Sequence, residues 1–130
     1  MARATGIGGV FMKSRDPKKL MQWYAEHLGL ESNDQFVGSV LKWREYDEPE
    51  KIASSVFGLF EQDTEYFNPS VAPYMVNFRV DDLDGLLARL RAAGCKVEDK
   101  IEEMEGIGRF GWVIDPEGRK VELWEPAAGQ

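Results

Sequence analysis

The sequence predicts an α+β fold made of two copies of a β-α-β-β-β module, and three observations lead to this class. Residues 8–31 and 74–98 share one order of features: a strand-like run, an aspartate, an amphipathic stretch and a glycine. The amphipathic stretches begin and end with residues that are typical of helix caps. Short β-prone runs, separated by turn residues, follow each stretch.

The repeat is preserved in its pattern more than in its identities. Its two copies read GGVFMKSRDPKKLMQWYAEHLGLE and YMVNFRVDDLDGLLARLRAAGCKVE. Moving the first copy forward by 66 positions superposes Gly9 on Met75 and aligns residues of similar character around them, among them Met12 with Phe78, Lys13 with Arg79, Asp16 with Asp82 and Leu20 with Leu86. The two copies therefore predict two modules with the same chain path.

The first helix is predicted between Asp16 and Gly29. Asp16 can accept hydrogen bonds from the free N–H groups of the first turn, and Pro17 suits the first helical position. Gly29 can adopt the left-handed conformation that ends a helix. Between these caps, residues at helical spacing form the stripe that is expected to pack on the sheet: Leu20, Trp23, Tyr24, His27 and Leu28.

The second helix is predicted in the same way. Asp81 or Asp82 caps its start, and Gly94 ends it. Its apolar stripe consists of Leu83, Leu86, Leu87 and Leu90.

The remaining β-prone runs complete the two modules. Strands are predicted at 40–46 and 55–61 in the first module and at 109–115 and 119–125 in the second, with weaker strands at 30–36 and 96–101. The segment QDTEYFNPSVAP, residues 62–73, is polar, contains two prolines and is predicted to be a linker. The chain is thus expected to be a single domain, 1–130, with modules at 7–61 and 74–126.

Composition excludes several functional classes. A net charge of −7 without a basic block argues against a nucleic-acid surface. No apolar run approaches the length of a membrane span or a secretory signal, so a cytoplasmic protein is expected. His27 is the only histidine, which rules out a two-histidine iron site within one chain.

Three local motifs, RDPKKLMQWYAEHLGL, FRVDDLDGLLARLRAAG and DPEGRKVELWEP, resemble the vicinal oxygen chelate superfamily. Its members include glyoxalase I, extradiol dioxygenases, methylmalonyl-CoA epimerase and the bleomycin- and fosfomycin-resistance proteins. The resemblance covers residues 7–126. It implies that the two modules pair into an open, half-barrel sheet with helices outside and a ligand on the concave face. It also implies a homodimer.

The resemblance further implies where a metal would be held. Metal-dependent members use one residue from the first strand and one from the last strand of each module, which here correspond to Gly9, Gly58, Met75 and Glu122. Glycine offers no donor atom, and a thioether is a weak ligand for the ions that the family uses. We therefore expect no cofactor and no metal.

Strand periodicity separates the two faces of the sheet. The apolar residues Val10, Met12, Phe57, Leu59, Val76, Phe78, Val80, Val121 and Leu123 are expected to face the helices. On the concave face, the predicted ligand-binding residues are Phe11, Lys13, Phe60, Met75, Asn77, Arg79 and Trp124. Lys13 and Arg79 suit an anionic group, although such side chains often lean into solvent. The aromatic residues could stack on a planar ligand or simply fill the cleft. Trp43 and Trp112 are not assigned to a face.

Glu122 is the candidate catalytic residue, with three roles open to it. It could act as a general base, since burial raises the pKa of a carboxyl group. It could be a metal ligand, or a structural carboxylate paired with Lys13, Arg79 or Lys120. The favoured function is metal-independent binding of a small, anionic or aromatic molecule. The alternatives are a lyase or isomerase of the glyoxalase I or epimerase type, and a module that serves mainly for assembly.

Overall fold

A computed structural model describes all residues, 1–130, as two helices on one eight-stranded sheet. The elements of the first module are β1 (Ala4–Ser14), α1 (Pro17–Leu28), β2 (Gly38–Arg44) and β3 (Ile52–Glu61). Those of the second are β4 (Tyr74–Val80), α2 (Leu83–Ala92), β5 (Lys96–Val97), β6 (Glu102–Met104), β7 (Gly108–Ile114) and β8 (Lys120–Pro126). Neither helix is long and apolar enough to cross a membrane.

The sheet is open, and its strand order confirms the predicted α+β fold. The strands lie in the order β2-β3-β1-β4-β8-β7-β5, with β6 pairing on β7. The first strands of the two modules, β1 and β4, are antiparallel neighbours at the centre. Each is also parallel to the last strand of its own module, β3 or β8. One curved sheet therefore carries both modules, and the helices pack on its outer face.

The register between β1 and β4 reproduces the repeat. Gly9 pairs with Asn77, and Phe11 pairs with Met75. A shift of 66 positions converts the first pair into the second, as it must if the modules are related by a twofold rotation. Within the modules, Phe11 pairs with Gly58 just as Asn77 pairs with Glu122. The structure thus places Gly58 and Glu122 at matching positions.

Helix α2 and its strands form the larger hydrophobic core. Leu83, Leu86 and Leu87 of the helix pack against Val80 and Leu123 of the sheet. This confirms the predicted helix-facing side of β4 and β8. Asp82 is the N-cap and accepts a hydrogen bond from the Gly85 amide at 3.1 Å.

Helix α1 has the predicted caps but a different buried stripe. The Asp16 carboxylate accepts from the Lys19 amide at 3.2 Å, and Gly29 adopts φ 71°. Pro17 and Met21 are its buried residues. The prediction that Trp23, His27 and Leu28 pack on the sheet is wrong, because all three are exposed. The helix is rotated so that only Tyr24 of its aromatic residues reaches the sheet, where it packs on Phe57 with ring centroids 4.8 Å apart.

The two weaker strand predictions also need correction. Residues 30–36 form no strand, and the 96–101 strand is reduced to Lys96–Val97. An unpredicted short strand, Glu102–Met104, pairs with β7 instead. The first module therefore has one strand fewer than predicted, so that the outer edge of β2 is a sheet edge.

Candidate functional site

The centre of the concave face is a buried carboxylate with three hydrogen-bond donors. Glu122 is 2% exposed. Its Oε1 accepts from Asn77 Nδ2 at 2.6 Å, and its Oε2 accepts from Trp112 Nε1 at 2.9 Å and from the Tyr66 hydroxyl. Every donor is neutral, so the carboxylate is held without an ion pair.

Sheet register brings two of these donors to Glu122. Asn77 on β4 and Trp112 on β7 are the direct cross-strand partners of Glu122 on β8. Partners at the same level of neighbouring strands project to the same face of the sheet. The register therefore places Trp112, which the sequence alone left unassigned, on the concave face beside Glu122.

The third donor comes from outside the sheet. Residues 62–73, which we call the strap, join β3 to β4. Two of its side chains, Tyr66 and Phe67, project into the cleft on the concave face, and Phe67 is fully buried. Together with Phe11, Phe60, Met75, Phe110 and Trp112 they form a hydrophobic cluster that is mostly aromatic. The strap thus covers the cleft instead of linking the modules at a distance, and the expected open pocket above Glu122 is filled.

Burial dominates the ionisation of the two central groups. Desolvation raises the pKa of Glu122 above its ordinary value, and the hydrogen bonds from Tyr66, Asn77 and Trp112 and the charge of Lys120 oppose this rise. The pKa of the Tyr66 hydroxyl is raised by burial and by the neighbouring Glu122 carboxylate. The hydroxyl therefore stays protonated and donates to the carboxylate.

The matching half of the cleft, in the first module, is apolar. A Cβ atom added at Gly58 would lie 2.8 Å from Phe11 Cδ1, and one added at Gly9 would lie 3.4 Å from Phe11 Cζ. The Phe11 ring therefore occupies the space above both glycines, and it packs edge-on against Phe60 with centroids 5.6 Å apart. Neither glycine therefore leaves open space, because Phe11 covers Gly58 and the Val56 main-chain oxygen lies 2.6 Å from a Cβ added at Gly9.

None of the cations weighed as partners of Glu122 forms an ion pair with it. Lys120 reaches Glu98 at 3.4 Å and donates to the main-chain oxygen of Tyr66 at 2.9 Å. The Lys13 ammonium lies 5.5 Å from the Phe67 ring centroid, beside the strap. The structural role left open by the sequence, a carboxylate paired with Lys13, Arg79 or Lys120, is therefore not the one that Glu122 has.

Arg79 lies in a separate polar region near one end of β4. Its guanidinium is 3% exposed and sits between two indole rings, 5.4 Å from the Trp43 centroid and 4.9 Å from the Trp124 centroid. It donates to the main-chain oxygens of Ser54 at 3.0 Å and Gln130 at 2.7 Å. Burial lowers the pKa of Arg79, and Glu45 at 3.9 Å is its nearest carboxylate.

The residues present do not fit a resident divalent metal. Of the four positions that the resemblance implies, Gly9 and Gly58 lack donor atoms, Met75 offers a thioether, and Glu122 already accepts three hydrogen bonds. No group of three or more histidine, cysteine, aspartate or glutamate side chains comes together anywhere in the chain.

Sequence reasoning missed Tyr66, Phe67 and Trp112 as site residues. The signal for the first two was an aromatic pair in the middle of an otherwise polar linker, since aromatic residues are costly to leave in solvent. Trp112 could have been found only with the β7–β8 register, which a single residue of slip reverses.

The chain matches a protein-family model over residues 6–123, and that model describes the Glyoxalase/Bleomycin resistance protein/Dioxygenase superfamily. No curated protein sequence matches. The match spans both modules and includes Glu122 with its three hydrogen-bond donors.

Solved structures agree with the fold. A variant of Streptomyces coelicolor methylmalonyl-CoA epimerase, in complex with 2-nitronate-propionyl-CoA, is 20% identical with a TM-score of 0.70, covering 97% of this chain and 100% of that one. The Mycobacterium tuberculosis methylmalonyl-CoA epimerase is 22% identical with a TM-score of 0.57, covering 95% and 89%. The Mn(II)-bound glyoxalase from Novosphingobium aromaticivorans is 24% identical with a TM-score of 0.59, covering 100% of this chain and 42% of that one. At these identities the likeness concerns the fold alone.

Proposed function

Because this chain belongs to the Glyoxalase/Bleomycin resistance protein/Dioxygenase superfamily, we propose that it binds a small, largely apolar molecule in the concave cleft without a divalent metal. Glu122 accepts a hydrogen bond from the bound molecule, and the aromatic residues of the cleft enclose its apolar part. The observation that carries this proposal is the buried Glu122 carboxylate, which binds neutral donors where metal-dependent members hold an ion.

The three donors divide into a fixed pair and a movable one. Asn77 and Trp112 are anchored in strands on either side of Glu122. Tyr66 lies on the strap, so that its hydroxyl can leave Oε2 when the strap moves. A ligand that enters the cleft must replace this bond, because a buried carboxylate that loses a donor costs about 1 to 3 kcal/mol. The ligand is therefore expected to carry a hydrogen-bond donor.

In this proposal the strap moves aside when a ligand enters. Two main-chain atoms of the strap bond to residues outside the first module's adjoining strand end: Lys120 donates to the Tyr66 oxygen and the Lys13 amide donates to the Pro73 oxygen, whereas the other main-chain bonds of the strap are internal or to Glu61. Phe67 is the main side-chain anchor because it is fully buried, so the ligand must also replace its apolar contacts. Displacement of Tyr66 and Phe67 leaves a space walled by Phe11, Phe60 and Met75, with Asn77 and Glu122 at its floor.

Of the remaining predicted ligand contacts, Lys13 lies beside Phe67, so in this proposal it meets a polar substituent once the strap has moved. Arg79 and Trp124 receive no ligand contact in this proposal, because both are buried and Arg79 already donates to the main-chain oxygens of Ser54 and Gln130.

Mass spectrometry of molecules that co-purify with the protein tests the proposal. A small molecule is expected to be released from the denatured wild type and to be depleted in Glu122→Gln, which alters the acceptor at the floor of the cleft. Glu117→Gln is the matched control, because Glu117 is exposed in the β7–β8 turn. A molecule retained equally by all three proteins, or a stoichiometric metal that depends on Glu122, would contradict the assignment.

A second candidate function is an isomerase or lyase in which Glu122 acts as base. It is favoured by the raised pKa of this carboxyl group, which suits removal of a proton next to a carbonyl. Methylmalonyl-CoA, a ligand in one epimerase of this fold, is the natural probe. Incubation in D₂O, followed by NMR, would show exchange of the hydrogen between its two carbonyl groups. Exchange by the wild type that is lost in Glu122→Gln and kept in Glu117→Gln would establish the enzyme; no exchange leaves binding as the function.

A further inference from the structure

The side chain of Tyr66 already occupies the cleft in the manner of a ligand. Its ring stacks on Phe60 with centroids 5.4 Å apart and an interplanar angle of 8°. Its ring is T-shaped to Trp112, with centroids 6.4 Å apart and an interplanar angle of 89°, and its hydroxyl donates to Glu122 Oε2. The cleft thus supplies a flat apolar wall for a six-membered ring and, at one end, an acceptor for a hydroxyl group.

The strap presents this side chain as a tethered competitor. The strands form the walls and floor, whereas Tyr66 enters from a segment whose other main-chain bonds are local except for the one from the Lys13 amide to the Pro73 oxygen. A group held by a short tether has a high effective concentration, so it fills its site whenever no stronger ligand is present. Removal of the strap from the cleft would leave a void with the shape and polarity of the group that fills it.

We propose that the ligand of the cleft is a phenol, an aromatic ring bearing a neutral hydroxyl group, which replaces the Tyr66 side chain between Phe60 and Glu122. This inference rests on the proposed function and specifies its ligand class. The phenol stacks on Phe60 and donates its hydroxyl hydrogen to Oε2, and the strap moves aside with Phe67.

The charges around the site favour a neutral donor over an ion. Burial, and then the charge of Glu122, raises the pKa of the Tyr66 hydroxyl, and the same two effects would disfavour a carboxylate or phenolate at this position. A cationic amine would lie next to Lys120, whose ammonium is 5.4 Å from the centroids of both the Tyr66 and Trp112 rings. The same ammonium favours an electron-rich ring such as that of a phenol.

Binding of p-cresol, which is the tyrosine side chain itself, tests the inference. Its affinity for the wild type, Tyr66→Ala and Tyr66→Phe is measured by NMR or calorimetry, with 4-methylanisole as the matched compound that lacks the donor. Tyr46→Ala is the control variant, because Tyr46 is 95% exposed. Hydrogen exchange of residues 64–70 reports whether the strap leaves the cleft.

We expect p-cresol to bind the wild type saturably and to increase hydrogen exchange in the strap. Tyr66→Ala should bind it at least about tenfold more tightly, because the internal competitor is gone, and Tyr46→Ala should equal the wild type. 4-Methylanisole should bind at least about tenfold more weakly than p-cresol, because it leaves Oε2 without its second donor. If Tyr66→Ala does not fold, Tyr66→Phe should show a smaller gain, since it removes only the competing hydroxyl.

Two results would overturn the inference. Binding of p-cresol to Tyr66→Ala but not to the wild type would make Tyr66 a permanent wall of the core. Equal binding of p-cresol and 4-methylanisole would remove phenols as the ligand class. In either case, the co-purification experiment decides the proposed function separately. A co-purified molecule that depends on Glu122 and lacks a phenolic hydroxyl would leave the proposed binding function intact. If no Glu122-dependent molecule co-purifies, both the inference and the proposed function are removed.

Discussion

Equivalent residue pairs in the two modules differ in polarity. Phe11 and Gly58 pair across β1 and β3, and Asn77 and Glu122 pair across β4 and β8 at the equivalent level. In the first module the aromatic ring lies over the glycine. In the second, the amide donates to the carboxylate. The same backbone arrangement therefore supports an apolar contact on one side of the cleft and a polar contact on the other.

The backbone geometry is therefore the same in both modules, whereas the chemistry of each half depends on its side chains. The strands fix where a side chain at each level points, and the side chain alone decides whether that point offers a ligand atom. A metal held across the two modules needs donors on both sides, and the first module supplies a ring. A bound organic molecule can use both halves, because it has an apolar and a polar part.

The helices differ in a parallel way. Helix α2 buries three leucines in the main core, whereas α1 buries Pro17 and Met21 and leaves Trp23 half exposed. The second module thus contains both the larger core and the polar centre. We infer that it contributes more of the stability of the fold than the first module does.

The largest expected effect comes from the equivalent helix residues Leu86 and Leu20. Leu86→Ala should destabilise the protein by about 3 kcal/mol, because it leaves a cavity in the main core. Leu20→Ala, at the matching position on the partly exposed α1, should cost about 1 kcal/mol. Urea denaturation measures both, and equal losses would show that the two helices are buried alike.

Glu122→Ala is expected to have the next largest effect. It leaves the Tyr66 hydroxyl, the Asn77 amide and the Trp112 indole without their acceptor, at a cost of about 2 to 3 kcal/mol. Glu122→Gln keeps an acceptor oxygen and should cost less. If the alanine variant were as stable as the wild type in the same urea experiment, the three bonds would contribute nothing to the fold.

Gly58→Ala tests the apolar half at the position that matches Glu122. The new methyl group would lie 2.8 Å from Phe11 Cδ1, so the ring must shift, at a cost of about 1 kcal/mol. The cost should decrease in the background of Phe11→Leu, where no ring covers Gly58. A double-mutant cycle with no coupling between the two positions would place Phe11 elsewhere in solution.

The last prediction concerns the direction of the pH dependence that Glu122 adds to stability. Because burial raises the pKa of the folded carboxyl group above its ordinary value of 4.5, the folded state binds the proton more tightly than the unfolded state. This contribution is fully present below the unfolded pKa and is lost as pH rises through the folded pKa. The unfolding free energy of the wild type should therefore fall relative to that of Glu122→Gln as pH rises from 4.5. A relative rise would mean that the hydrogen bonds to Glu122 lower its pKa more than burial raises it.

The sequence was informative wherever one periodic pattern determined the result. The alternation in VNFRV and VELWE assigned Phe78, Val80, Val121 and Leu123 to the helix face, and they pack there. The resemblance to the vicinal oxygen chelate superfamily identified Gly58 and Glu122 as last-strand counterparts, and the strand pairing agrees. The first result follows from the alternation along each strand, and the second follows from the shared order of elements in the two modules.

The strap could not be predicted in this way, because its position depends on contacts far away in sequence. Tyr66 finds its acceptor 56 residues later, at Glu122, and no periodic pattern links the two. The prolines and polar residues around it are typical of a linker. The predicted stripe of α1 was wrong for a related reason, since helical spacing alone does not decide which side of the helix meets the sheet, and Trp23, His27 and Leu28 lie on its exposed side.

The most direct test of the claim that the two halves of the cleft cannot together hold a metal is titration of the purified protein with Mn²⁺. The EPR signal of the free ion measures how much Mn²⁺ remains unbound. Gly9, Gly58 and Met75 offer no ligand set, and Glu122 is engaged by Tyr66, Asn77 and Trp112. We predict that wild type, Glu122→Gln and Glu117→Gln all leave the signal unchanged at equimolar protein. Binding of one Mn²⁺ per chain that is lost in Glu122→Gln and kept in Glu117→Gln would contradict the account.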